Sequence, residues 1–75
     1  MKEHDRIVLS ADLPTEGLKR GDVGTVVHIY KGGKAAEVEF LALDGQTVAI
    51  ATVESSEIRP VAKGEITHAR LRATA

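Results

Sequence analysis

Ala35-Ala36-Glu37-Val38-Glu39-Phe40-Leu41-Ala42-Leu43-Asp44-Gly45-Gln46-Thr47-Val48-Ala49-Ile50-Ala51-Thr52-Val53 decides the fold. Val38 and Phe40 alternate with Glu37 and Glu39, the period-two pattern of a strand with one dry and one wet face. Asp44-Gly45 then supplies the positive φ that a two-residue type I′ turn requires. The spacing predicts a tight hairpin joining 36–43 to 46–53, with Val48 and Ile50 sharing the core with Val38 and Phe40.

Upstream, Asp22-Val23-Gly24-Thr25-Val26-Val27-His28-Ile29-Tyr30 is the strongest strand, rich in β-branched and aromatic side chains. Gly24 marks a bulge or sharp bend near its start. Lys31-Gly32-Gly33-Lys34 is the turn that leads into the hairpin. Arg6-Ile7-Val8-Leu9-Ser10 forms a first strand, and residues 11–21 a long loop punctuated by Pro14, Gly17 and Gly21. Leu13 and Leu18 are its expected anchors on the core. Downstream, Ser55 and Ser56 favour a local cap or a 3-10 turn. Ile58-Arg59-Pro60-Val61 is a short last strand, because Pro60 suits only an edge or a strand end. The order is all-β: a small SH3-like barrel of about five antiparallel strands over residues 1–61, with a 3-10 turn before the last strand. An OB-fold would need longer strands and a helix before its last one. Residues 62–75 form a C-terminal extension readable as an extra strand, a short helix or a disordered tail.

A chain of 75 residues has room for one domain. It has no cysteine, which excludes disulfides and the commonest zinc sites and fits a reducing compartment. The charged start Met1–Arg6 and the lack of any run near 20 apolar residues give the expectation of a soluble cytoplasmic protein without membrane contact. Residues 7–61 hold five cationic and eight acidic side chains, a net −3, whereas 62–75 hold three and one, a net +2. A phosphate backbone gains little from the acidic part.

Leu18-Lys19-Arg20-Gly21-Asp22-Val23-Gly24-Thr25-Val26-Val27, Ala36-Glu37-Val38-Glu39-Phe40, Asp44-Gly45 and Glu57-Ile58-Arg59-Pro60-Val61 resemble, in that order, the small bacterial family known as domain of unknown function 4926. The resemblance covers roughly residues 6–61. It implies a stand-alone SH3-like barrel of unassigned biochemistry, an accessory protein similar in some members to the partners of toxin-like proteins. Gly21–Val26 also resembles the opening of a KOW motif, which implies nucleic-acid contact through Lys19, Arg20, Lys31 and Lys34. The same glycines serve wherever a loop enters a bent strand.

Candidate chemistry is sparse. Ser10, Ser55 and Ser56 sit at strand ends or turns without a G-x-S-x-G elbow, so no catalytic residue is assigned and an enzyme is not expected. His4, His28 and His68 lack the paired spacing of metal ligands, and Glu37 and Glu39 read as a solvated strand face. His28, alternating with Val26 and Tyr30, reads as a partly buried or rim side chain. No metal or other cofactor is expected. Lys31–Lys34 joins strands and lacks the helix of a phosphate-binding loop. Phe40 belongs to the core, so Tyr30 is the one ring left as a platform. A single ring builds no proline-peptide groove, methyl-lysine cage or base-stacking surface.

The surplus of apolar residues on strand faces that should meet water points instead to another protein surface. Val27, Ile29, Tyr30, Ala49, Ala51 and Val53 are the candidate contacts. The expected partner is a second copy of the chain or another protein, with the chain acting as an accessory or antitoxin-like subunit.

Overall fold

Five antiparallel strands, β1 (Arg6–Leu9), β2 (Val23–Ile29), β3 (Ala35–Leu41), β4 (Thr47–Glu54) and β5 (Ile58–Pro60), form one sheet in the order β4-β3-β2-β1-β5 in the computed structural model, which describes residues 1–72. A 3-10 turn, Ser55–Glu57, precedes β5 as expected. Neither serine caps it: Glu57 accepts the Glu54 amide at 2.8 Å. Strands β4 and β5 are the two edges of the sheet. Among the described residues no helix is long and apolar enough to cross a membrane.

One face of the sheet carries the core. Ile7, Leu9, Val26, Ala36, Val38, Phe40, Ala51 and Val53 pack there, closed by Leu18 from the β1–β2 loop. That loop is pinned as its leucines suggest, since Leu13 and Leu18 exchange backbone hydrogen bonds at 2.9 and 3.2 Å. Strand β3 shows the expected alternation, with Ala36, Val38 and Phe40 buried and Glu37 and Glu39 only partly covered.

From Ala49 onward, strand β4 has the opposite facing from the one expected. Antiparallel partners share a face. Phe40 pairs with Ala49, Val38 with Ala51 and Ala36 with Val53, so the small residues turn inward. Val53 is fully buried, Ala51 is nearly so, and Ile50 is 57 % exposed. Small side chains opposite Phe40 and Val38 leave room for those larger groups, whereas Ile50 would overfill the space. Val48, at the start of the strand, is half-buried against the core as expected.

The hairpin turn also differs from the two-residue type I′ form. Gly45 donates to the Ala42 carbonyl at 2.9 Å and Ala42 to the Gln46 carbonyl at 2.8 Å. Only Gly45 of the Asp44–Gly45 pair has positive φ, at 92°. This is a three-residue loop, a turn followed by a left-handed glycine. A one-residue bulge at Val48 then returns the ladder to the register a two-residue loop would have set.

A second bulge lies in β2, where Val26 pairs with Val38 and His28 with Glu37, leaving Val27 unpaired. It was anticipated at Gly24, which instead pairs regularly with Ile7 and Phe40. The extra residue turns Val27 and His28 outward together and returns Ile29 to the core side. His28 is therefore exposed, which fits the rim alternative and not the partly buried one.

The extension 62–72 contains neither strand nor helix. Arg59 grips both carboxylate oxygens of Glu65 at 2.8 and 2.7 Å. Farther on, Arg70 pairs with Asp22, and Arg72 donates twice to the Glu16 carbonyl at 2.9 and 2.6 Å. Ile66 and Leu71 are 92 % and 96 % exposed, so charged side chains rather than apolar contacts hold the segment in place. Residues 73–75, the end of the extension, lie outside the described residues.

Candidate interaction surface

The outward face of the sheet has two halves. Over β5, β1 and the start of β2, the returning extension borders a groove of about 470 Å³ lined by Val8, Val23, Leu41, Arg59, Val61 and Ile66. Over the end of β2, β3 and β4 the face is open, and the β2 bulge shapes it.

At the centre of the open half stands Glu37. Tyr30 donates its hydroxyl proton to Glu37 Oε1 at 2.7 Å, and the Thr52 hydroxyl donates to the same oxygen. His28, paired across the ladder with Glu37, meets the Tyr30 ring edge to face with centroids 4.9 Å apart. The second carboxylate repeats the pattern, since Thr47 donates to Glu39 Oε2 at 2.7 Å. Both acidic residues of β3 are thus tied to threonines of the β4 edge.

These bonds set the ionisation. The Thr52 and Tyr30 hydroxyls, with a smaller contribution from the His28 charge, hold the Glu37 carboxyl below its ordinary range. The bond to Glu37 raises the Tyr30 phenol above its own. A carboxylate held ionised is a poor proton donor near neutrality, and a phenol held protonated is a poor nucleophile. The cluster can accept hydrogen bonds from a partner.

Apolar groups flank this polar centre. Val27, Tyr30 and Ile50 are 39 %, 42 % and 57 % exposed. Of the six candidate contacts, the structure brings only Val27 and Tyr30 to this surface. Ile29 and Ala49 are half-buried against the core, and Ala51 and Val53 belong to it. Ile50 reaches the surface without having been anticipated there. Its signal was the pairing of Phe40 with Ala49, which a two-residue Asp44–Gly45 loop already dictates.

The four candidate nucleic-acid contacts lie in the two connections that flank β2. Lys19 and Arg20 precede β2, and Lys31 and Lys34 follow it. Seven strand residues hold the pairs roughly 23 Å apart. The backbone amides of Lys19 and Arg20 are bonded to Asp22 and Asp12, which keeps acidic side chains beside that pair. Among the described residues no three His, Asp or Glu side chains converge as a metal-binding group.

The model of the family described as Domain of unknown function (DUF4926) matches residues 3–60. The chain belongs to that family. The match spans all five strands and stops where the extension begins; it carries neither an SH3-like nor a KOW assignment. No curated protein and no solved structure matches the chain.

Proposed function

We propose that this DUF4926 chain is a non-catalytic protein-interaction module, working as a homo-oligomer or as a small accessory subunit of another protein. The supporting observation is the open half of the outer face. Val27, Tyr30 and Ile50 expose apolar surface around a carboxylate that two hydroxyls hold ionised. Apolar groups around a fixed polar acceptor suit recognition of another protein surface.

Affinity capture from the native host, compared between the wild-type chain and Val27→Asp, tests the reading. Val27 is exposed and lies at a bulge, so this variant keeps the core intact. A defined protein retained by the wild type and lost by Val27→Asp is the expected result for an accessory subunit. A wild-type chain that retains no protein and is also monomeric at high concentration overturns the module reading as a whole.

A further inference from the structure

The free side of β4 offers more than side chains. Ser55 donates to the Lys34 carbonyl at 2.8 Å, which fixes the ladder phase between β3 and β4. In antiparallel pairing, alternate residues direct their amide and carbonyl to the same side. Ala49, Ala51 and Val53 therefore bond to β3, while Ile50 and Thr52 present theirs at an edge with no neighbouring strand, the Glu54 amide being taken by Glu57.

Exposed edges are normally blunted by lysine, proline, inward-pointing charge or shortness. Strand β5 is blunted: it has three residues, including Arg59 and Pro60. Strand β4 has eight residues, and Thr47–Val53 contains no charge and no proline. Its bulge at Val48 lies next to the hairpin turn and leaves 49–54 regular.

We propose that β4 pairs edge to edge with β4 of a second copy, antiparallel about a two-fold axis at Ala51. This rests on the interaction-module reading and names the partner and the surface. Ile50 of each copy then exchanges backbone hydrogen bonds with Thr52 of the other, and Ala51 faces its symmetry mate. Glu54 falls opposite the bulged Val48, so no like charges meet across the pair. Both copies' Glu37 side chains lie on β3, three strand spacings apart or roughly 14 Å, beyond the screening length at physiological salt. The contact is isologous and closes at two subunits.

Sedimentation of the full chain over micromolar to millimolar concentration tests the pairing. The wild type is expected to approach twice its 8.0 kDa monomer mass. Ile50→Pro removes an outward amide that no β3 carbonyl uses, and the two-fold axis doubles the loss. It should weaken dimerisation by roughly tenfold or more, with the strand signal in circular dichroism retained. Ile50→Lys, a change on an exposed side chain, serves the same purpose should the proline variant unfold. Leu71→Asp, on the exposed extension and away from the edge, should still dimerise. A wild type monomeric at millimolar concentration overturns edge pairing, while the accessory-subunit reading then stands or falls by host capture. A dimer indifferent to both Ile50 substitutions overturns the edge assignment alone.

Discussion

Gly24 lies between two strands, paired with Ile7 on one side and Phe40 on the other. A Cβ at that position would stand 2.5 Å from Val38 Cγ1 and 2.9 Å from Phe40 Cε1. Gly24→Ala must therefore push core side chains off their positions, costing about 1–3 kcal/mol by urea denaturation. Gly45 has nothing within 4 Å, yet its φ of +92° is hard for a residue with a Cβ. Gly45→Ala should cost about 1–2 kcal/mol, from backbone strain alone. The sequence marked both glycines as special but not the reason for Gly24, because close approach depends on which strand passes over it. A third residue-scale prediction concerns Glu37. Tyr30→Phe removes one of the two hydroxyls that hold its carboxyl low, so the Glu37 titration followed by carboxyl NMR should move upward. An unchanged midpoint would mean that the Tyr30 bond is not formed in solution.

Among the elements, the facing of β3 showed in its own residues and that of β4 only through its register with β3, for a physical reason. Glu37 and Glu39 mark the wet face of β3 unambiguously, whereas Thr47–Val53 has no charge to tell one face from the other. Larger apolar residues look like the core choice, yet the pairing with Phe40 and Val38 selects the alanines. The β2 bulge was equally silent, since Val26 and Val27 differ only by position. The extension makes a prediction of its own. The Arg59 guanidinium, helped by the Ala62 amide, pulls the Glu65 carboxyl from 4.5 to about 2. A depressed carboxylate contributes its attachment above its free value and loses it on protonation. The hold on the extension should therefore persist above pH 4.5 and weaken as pH falls toward 2. Arg59→Ala should return the Glu65 midpoint toward 4.5 and speed amide exchange in 62–66 at neutral pH. Exchange unaltered by the substitution would mean that other contacts hold the segment.

At the scale of the whole molecule, nine buried apolar side chains among the described residues make the core, no disulfide assists them, and one long edge is left open. Domains of this size bury a modest share of their surface and gain from a partner subunit. The all-β order and the 3-10 turn before β5 could be read from turn residues and alternation. The surface could be read only in part, because facing is set by register and register by two bulges. The central claim is that the free edge of β4 is where this molecule meets its partner, a second copy of itself. Residue-resolved amide exchange at low and high protein concentration tests it most directly. In dilute solution Ala49, Ala51 and Val53 should be protected, and Ile50 and Thr52 should exchange freely. At high concentration Ile50 and Thr52 should become protected as the mass doubles. Free exchange at Ile50 and Thr52 in a sample whose mass has doubled would contradict the account.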